Sequence, residues 1–307
     1  MQENRSFDSY FGVYPGAAGI PMRNGVPTVC VRDPQTRRCM RPFPDHRDVN
    51  FGGPHGADDA IADVDGGKMD GFVARVEHAR RNCTNPDDPV CSLSARPDVM
   101  GYHTGSDIPN YWTYAKRFVL QDHMFEPVAS WSLPEHLYQV SEWSAFCTQH
   151  DNPRSCTNAP QKPGLPLEFR SGDGVPTPTA PIYAWTDLTY LLHKNRVSWR
   201  YYVTQGNEPD CQNDAAISCA PIPQSAPRAS IWNPLPNFDT VKNDGQLGNI
   251  QSVDRFYTAA KNGQLPAVSW VVPSDAVSEH PPSRVSAGQS YVTGLVNAVM
   301  RSADWSS

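Results

Sequence analysis

Two kinds of hydrophobic pattern alternate along the chain from about residue 107 onward. Short runs of β-branched and aromatic residues predict three strands, at residues 117–121, 197–203 and 267–272. Segments with apolar positions at helical spacing predict four helices, at residues 107–114, 132–140, 188–194 and 253–262. This alternation indicates an α/β fold with a mainly parallel central sheet flanked by helices, in which chemistry gathers at the carboxyl ends of the strands.

A last helix is predicted near the C-terminus. Ser286 and Gln289 have the spacing of a capping box, and four apolar residues recur on one helical face, at Val292, Leu295, Val296 and Val299. The chain then stops at Ser307 without a closing element. At the other end, residues 1–5 lack the charged and apolar regions of a signal peptide. We therefore expect a domain that is truncated at both ends.

Composition narrows the class of protein. The 307 residues include 8 Trp, 12 Tyr and 11 Phe, which supply the apolar surface that disordered chains lack. A net charge of −6 without a block of Lys and Arg argues against binding to nucleic acid. No apolar stretch approaches the roughly 20 residues of a transmembrane helix. Stretches rich in Pro and Gly predict long loop insertions at about residues 143–182 and 205–237 of a single domain.

The eight cysteines form four couples along the sequence, Cys30 and Cys39, Cys83 and Cys91, Cys147 and Cys156, and Cys211 and Cys219. A zinc site would need tighter pairs, with about two to four residues between the cysteines. We favour four local disulfides, each closing a small loop; the alternative is eight reduced thiols. Disulfides indicate an exported protein, secreted or periplasmic.

Two adjacent residues near the N-terminus are candidate metal ligands. Glu3 and Asn4 offer hard oxygen donors, which Ca²⁺, Mg²⁺ and Mn²⁺ prefer. The alternative is a solvated terminal segment without a metal.

Ser132 has two interpretations that are compatible with each other. With Glu135 it forms the Ser-x-x-Glu pattern of a helix capping box. At a helix N-terminus it could also act as a nucleophile, because the free N–H groups there stabilise an alkoxide and an incoming phosphate. A lipase-type elbow is excluded, since no G-x-S-x-G surrounds this serine.

Two of the nine histidines lie in loop contexts without an obvious packing role. His55 lies between Pro54 and Gly56, and His280 follows the predicted strand 267–272, where an edge site would lie. Either could instead be an ordinary solvated loop histidine. His123 and His136 are weaker candidates.

Four segments together resemble one known family. They are Met-Gln-Glu-Asn-Arg-Ser-Phe-Asp-x-Tyr-Phe-Gly from residue 1, Gly66–Phe72, Ser132–Tyr138 and Ser278–Pro281. The chain is similar in these segments to the bacterial phosphoesterase family that contains phosphatidylcholine-preferring phospholipases C and respiratory-burst-inhibiting acid phosphatases. The resemblance implies an alkaline-phosphatase-like α/β fold and a phosphoric ester hydrolase. It implies phosphoester substrates, either a phospholipid headgroup or a soluble ester, and allows transient contact with a membrane surface.

The resemblance also implies roles for individual residues. Glu3 and Asn4 would bind a divalent cation, Ser132 would be the nucleophile that forms a phosphoseryl intermediate, and His280 and His55 would contact phosphoryl oxygens or protonate the leaving group. The chain departs from the family pattern just before Ser132, where Ser130 and Trp131 replace Gly-Pro, and at Glu135, where the family has Asn.

The resemblance places a first strand before Met1 and a second, acidic metal-ligand pair beyond Ser307. Because the cation would then have only part of its ligands, we expect this chain to have weak activity or none. Two other functions stay open. The chain could be a noncatalytic secreted binding module with the same fold, in which Ser132 only caps its helix. It could also be a serine esterase that needs no metal.

Overall fold

The computed structural model describes residues 5–81, 83, 91–92, 96–164, 180–210 and 220–306. The predicted metal ligands Glu3 and Asn4 lie outside the described residues, as do Cys211 and Cys219. The described residues form two compact units. Unit 1 contains the described residues within 1–129 and 276–293. Unit 2 contains the described residues within 130–214, 219–275 and 294–307.

Unit 1 is built from helices and short paired strands. Its helices are Phe7–Phe11, Ala57–Val64, Phe72–Arg81, Pro109–Arg117 and most of Asp275–Ser278, with 3-10 turns at Asp65–Gly67 and Asp98–Met100. Its strand pairs are Met22–Arg23 with Val26–Pro27, Val31–Arg32 with Cys39–Met40, and Phe43–Pro44 with Gly101–Tyr102. The first two pairs are antiparallel and the third is parallel.

Unit 2 holds a three-stranded parallel sheet in which Trp199–Val203 lies between Ile250–Ser252 and Val268–Val272. Its helices are Ser132–Ser141, Leu188–Lys194, Asp239–Asn243 and Val253–Asn262. Its 3-10 turns are Pro153–Ser155, Leu235–Asn237, Gln246–Asn249 and Ala303–Ser306. Two antiparallel pairs complete it, Ala145–Cys147 with Cys156–Asn158, and Gly206–Asn207 with Pro223–Gln224.

The mixed α/β class is confirmed, and so are the helices predicted at 132–140, 188–194 and 253–262 and the strands predicted at 197–203 and 267–272. The strand predicted at 117–121 is wrong. The preceding helix continues to Arg117, the residues after it pair with no strand, and Val119 is 81% exposed. A β-branched run becomes a strand only where a neighbouring strand accepts its backbone hydrogen bonds.

Helix ends show where local sequence was a sufficient guide. Asp187 caps Leu188–Lys194 by accepting hydrogen bonds from the backbone N–H groups of Thr189 and Tyr190. Ser252 caps Val253–Asn262, which ends at the left-handed Gly263. Each of these contacts lies within one turn of the helix end, so the sequence alone could predict it.

The last helix, Val285–Met300, is confirmed, but its predicted capping box is wrong. A carboxylate oxygen of Asp48 accepts the hydrogen bond from the Ser286 N–H at 2.8 Å. The Gln289 side chain accepts instead from the N–H of Asn110, also at 2.8 Å. Asp48 is distant in sequence and supplies the acceptor that a local cap would otherwise supply.

The main hydrophobic core of unit 2 packs one face of Ser132–Ser141 against the sheet. Leu133 and Leu137 of that helix are fully buried and belong to the same apolar cluster as Trp199 and Phe238. A fully buried side chain of this size contributes about 1.5–3 kcal/mol to folding. The helix that begins at Ser132 is therefore held firmly by its packing.

Three of the four predicted disulfides are present, Cys30–Cys39, Cys83–Cys91 and Cys147–Cys156. The fourth predicted couple lies outside the described residues. Among the described residues, no helix combines the length and apolar character needed to span a membrane.

Candidate active-site residues

Ser132 is the first residue of the helix Ser132–Ser141, directly after the extended Trp131. The two residues before it are fixed by hydrogen bonds to a neighbouring loop. The Ser130 hydroxyl donates to the Pro160 carbonyl at 2.6 Å, and the Trp131 indole N–H donates to the Gln161 carbonyl at 2.9 Å. The Ser-Trp pair that replaces the family's Gly-Pro therefore anchors the turn that leads into the serine.

The Ser132 side chain does not cap its helix. The capping position belongs to Trp131, and no side chain makes a capping hydrogen bond there. The Ser132 hydroxyl, in a residue only 1% exposed, instead donates to Oδ2 of Asp210 at 3.4 Å. The capping interpretation of Ser132 is therefore wrong, and its hydroxyl lies beside a carboxylate that can accept its proton.

Asp210 reaches Ser132 from the carboxyl edge of the parallel sheet. The Gln224 side-chain amide donates to the carbonyls of Thr204 and Pro273, at 2.8 and 2.7 Å, just beyond the ends of two parallel strands. Gln224 belongs to the strand that pairs with Gly206–Asn207, so this edge fixes the segment leading to Asp210. Carboxyl edges of parallel strands are where α/β folds place their chemistry.

Glu208, in the same segment, is a buried carboxyl. No sequence motif marks this residue. It is 5% exposed, and neither carboxyl oxygen meets a hydrogen-bond partner among the described residues. Burial raises its pKa to about 8, although Ser230, Arg228 and His136 nearby each lower it. The sequence did contain one indication of these residues, because Glu208 and Asp210 follow soon after the predicted strand 197–203.

His136, a weaker sequence candidate, lies one turn after Ser132 on the same helix. Its Nδ1 lies 2.6 Å from the Ile231 carbonyl oxygen, and its ring packs against Trp232 with centroids 4.4 Å apart. Because a carbonyl only accepts, Nδ1 carries the proton in this hydrogen bond. His136 is thus fixed in one orientation and one tautomer of its neutral form.

In unit 1 the structure brings His55 and His280 together. Their rings meet edge to face with centroids 5.2 Å apart, and one ring nitrogen of each lies within 4.8 Å of the other. Nδ1 of His55 bonds to the Gly53 carbonyl at 3.1 Å, and Nδ1 of His280 bonds to the Pro281 carbonyl at 2.9 Å. Each carbonyl selects the tautomer in which Nε2 carries the lone pair, the form that binds cations.

The loop that carries His280 is held by the buried residue before it. Glu279 is fully buried with a positive φ of 67°, and the hydroxyls of Tyr10 and Tyr111 donate to its two carboxylate oxygens. Burial raises the pKa of Tyr10 far above its usual value, and the Glu279 charge raises it further. Two neutral phenols therefore satisfy a carboxylate that water does not reach.

The residue that follows the predicted metal ligands is tied to the same loop. Arg5 donates from Nε to the Glu279 carbonyl at 2.9 Å and from Nη1 to the Asn50 side-chain oxygen at 2.8 Å. His103 is buried and bonds to that same oxygen through Nε2 at 3.2 Å. Burial, followed by the Arg5 charge, lowers the pKa of His103, which keeps it neutral.

The predicted site residues thus fall into three groups. Ser132 lies in unit 2 with Asp210, and His55 and His280 lie together in unit 1. Glu3 and Asn4 precede the described part of the chain. His123 is an exposed residue of unit 1.

Comparison with known proteins gives matches along the chain. The model of the Phosphoesterase family matches residues 1–307. Phospholipase C B of Mycobacterium tuberculosis is 24% identical over 308 residues, covering 94% of this chain and 51% of that protein. Phospholipase C A of the same organism is 26% identical over 333 residues, covering 99% and 54%. The hemolytic phospholipase C of Pseudomonas aeruginosa is 24% identical over 322 residues, covering 97% and 39%.

The chain spans about half the length of the mycobacterial relatives, and its match extends over nearly all of its own residues. The family resemblance stated from the four sequence segments is therefore confirmed by the match along residues 1–307. The chain belongs to the Phosphoesterase family.

Proposed function

We propose that the chain hydrolyses phosphoesters with Ser132 as the nucleophile, and that its rate is low where the bound cation has only part of its ligands. The observation that carries this proposal is the direction of the Ser132 hydroxyl, which donates to Asp210 at 3.4 Å instead of capping its own helix. A serine nucleophile needs a group that accepts its proton, and it gains from a helix N-terminus that stabilises the phosphoryl oxygens. Ser132 has both, at the start of a helix of 10 residues.

The proposed reaction has two steps. In the first, Ser132 Oγ attacks phosphorus in line, its proton passes to Asp210, and the bond from phosphorus to the leaving-group oxygen breaks. The leaving group takes up a proton as it departs. In the second step, water attacks the phosphoserine, releases the phosphate or the phosphorylated headgroup, and regenerates the Ser132 hydroxyl.

His55 and His280 are proposed to serve the phosphoryl group, as the family resemblance implies. Support comes from their fixed tautomers, because an imidazole that is protonated at both nitrogens can donate from Nε2 while Nδ1 stays bonded to its carbonyl. A protonated imidazole can also donate its proton to a departing alkoxide.

The donor sets bear on where a metal would bind. Two imidazoles suit a borderline ion such as zinc, whereas carboxylate and amide oxygens suit Ca²⁺, Mg²⁺ or Mn²⁺. We therefore propose Glu3 and Asn4, rather than the histidine pair, as ligands of a hard divalent cation. When bound, such a cation would offset the negative charge of the phosphoryl group. Arg5 supports this assignment by anchoring the backbone directly after those two residues.

The proposed substrates are phosphoesters of either a phospholipid headgroup or a soluble compound. The relatives are named phospholipases C, which favours a lipid substrate. The three disulfides support a place of action outside the cytoplasm, as a secreted or periplasmic protein. We also propose that the chain forms a single alkaline-phosphatase-like domain. The three-stranded parallel sheet and the long loops are compatible with that fold.

Replacement of the nucleophile tests the proposed function. We expect Ser132→Ala to abolish turnover of a chromogenic phosphate ester and of phosphatidylcholine, measured with Mg²⁺, Mn²⁺ or Ca²⁺ present. Loss of a covalent nucleophile commonly costs a factor of about 10⁴ or more in rate. The matched control is Ser290→Ala, an exposed helical serine whose hydroxyl donates to the Ser286 carbonyl, 2.8 Å away.

Three results would contradict the proposal. Turnover retained in Ser132→Ala would remove the serine from the reaction. Hydrolysis of a carboxyl ester that persists after chelation would identify a serine esterase. Binding of phosphate esters without turnover, equal in both variants, would identify a noncatalytic binding module.

A further inference from the structure

The environment of Glu208 in unit 2 calls for a functional explanation. A buried carboxyl is ordinarily paired with a cation or accepts hydrogen bonds, because its charged form is otherwise costly. Glu208 is 5% exposed, and neither of its oxygens has a hydrogen-bond partner of good geometry among the described residues, although the Ser230 hydroxyl and the Arg228 guanidinium lie nearby. Burial disfavours the ionised form of Glu208 more than these neighbours stabilise it, so the neutral form is favoured.

Four polar or charged groups face Glu208. They are the Ser230 hydroxyl, the Arg228 guanidinium, the His136 imidazole and the Asp210 carboxylate. Asp210 is two residues from Glu208 and accepts the hydrogen bond from the Ser132 hydroxyl. His136 lies one turn after Ser132 on the same helix. Two of the four groups that face Glu208 therefore connect it to Ser132, Asp210 through a hydrogen bond and His136 through the helix.

The backbone fixes Glu208 in this position. Its N–H donates to the Ile222 carbonyl at 2.8 Å, which extends the pairing of Gly206–Asn207 with Pro223–Gln224. The facing loop is equally fixed, since the Ser230 hydroxyl accepts from the N–H groups of Trp232 and Asn233, each at 3.1 Å. The backbone of Glu208 and the loop that faces it are therefore both held in place by hydrogen bonds.

We propose that Glu208 is a positioning residue for the Ser132–Asp210 pair, supplying a neutral carboxyl so that Asp210 alone brings negative charge to the serine. This inference rests on the proposed function, in which an anionic phosphoester approaches Ser132. A second negative charge there would repel the substrate and would make Asp210 accept a proton too readily. Glu208 acts only through these neighbours and does not touch the reacting atoms.

The proposal predicts a specific dependence on pH. With the pKa of Glu208 near 8, its carboxyl is neutral at pH 7 and mostly ionised at pH 9. Ionisation should lower kcat/KM and the affinity for inorganic phosphate by about tenfold between these two values. Glu208→Gln is neutral at every pH and should lack this fall, whereas Glu208→Asp should keep it.

The experiment combines two measurements on the full chain. Carbon-13 NMR of glutamate carboxyls follows the titration of Glu208, assigned by the signal that Glu208→Gln removes. Turnover and calorimetric binding of inorganic phosphate are then compared at pH 7 and pH 9 in the wild type, Glu208→Gln and Glu208→Asp. Glu142→Gln, a change at an exposed glutamate, is the matched control and should follow the wild type.

The proposal is overturned if Glu208 titrates near the usual glutamate value of about 4.3, or if the wild type and Glu208→Gln show parallel pH profiles. Misfolding of Glu208→Gln would be recognised from its melting temperature at pH 7, and Glu208→Asp then gives the decisive titration. Failure of the proposed function is a separate result, seen as turnover that Ser132→Ala does not reduce.

Discussion

At the scale of single residues, buried carboxyls define both groups of candidate site residues. Glu279 is satisfied by two tyrosine hydroxyls and precedes His280 in the loop of unit 1. Glu208 has no hydrogen-bond partner of good geometry in the described part of the chain and lies two residues from Asp210 in unit 2. The same residue type therefore serves as a structural anchor in one unit and, in our proposal, as a neutral neighbour of the nucleophile in the other.

The Glu279 anchor predicts a stability effect in unit 1. Tyr111→Phe removes one of the two hydroxyls that satisfy this fully buried carboxylate. We expect a loss of about 1–3 kcal/mol in the free energy of unfolding, because one oxygen of a buried carboxylate loses its hydrogen-bond donor. Denaturant unfolding measures the change.

The control for Tyr111→Phe is Tyr190→Phe in unit 2, a half-buried tyrosine whose ring lies 5.6 Å from the Lys194 ammonium nitrogen. This ring contact survives the loss of the hydroxyl. Equal unfolding free energies for the two variants would show that the Glu279 contact adds no stability.

At the scale of elements, the long helix Val285–Met300 contains two glycines with different surroundings. Neighbouring atoms lie very close to one of them and farther from the other. A Cβ added at Gly288 would overlap with Cγ of Glu279. A Cβ added at Gly294 would meet only the Tyr257 hydroxyl, at 3.4 Å. Close approach of the helix backbone to Glu279 therefore requires glycine at position 288.

These two glycines make a matched pair of substitutions in one helix. Gly288→Ala should destabilise unit 1 by about 1–3 kcal/mol, since the added methyl group must displace the buried Glu279 side chain. Gly294→Ala should be neutral or stabilising by up to about 1 kcal/mol, because alanine is the better helix former. Melting temperatures of the two variants give the comparison, and a more stable Gly288→Ala would contradict the packing described here.

Elements also show what sequence could and could not predict. The Asp187 and Ser252 caps were predictable because each acceptor lies within a turn of its donor. The Ser286 cap was wrong because Asp48, 238 residues away, supplies the acceptor. The failed strand at 117–121 shows the same limit, since strand formation depends on a partner that local pattern does not reveal.

The candidate site follows the same division. Sequence motifs singled out Ser132, His55 and His280 as residues, and the structure adds the neighbours that give two of them an orientation through carbonyls. Asp210 and Glu208 escaped notice because they are 78 and 76 positions from Ser132 and belong to no motif. Contacts between residues so far apart in sequence can be seen only in the folded structure.

At the scale of the whole molecule, family membership extends over residues 1–307 while the mycobacterial relatives are about twice as long. The three disulfides each close a loop of 8 or 9 residues in sequence separation. In the chain-entropy model such a loop contributes roughly 2.5–3 kcal/mol. Local crosslinks therefore stabilise a family domain whose catalytic role centres, in our proposal, on one serine.

Trapping of the proposed phosphoseryl intermediate tests that central claim most directly. The chain is mixed with a chromogenic phosphate monoester and a divalent cation, quenched in acid and digested for mass spectrometry. We predict one added phosphoryl group on the peptide that contains Ser132, and none on that peptide in Ser132→Ala. Hydrolysis that proceeds with the Ser132 peptide unmodified, and at an undiminished rate in Ser132→Ala, would contradict the account.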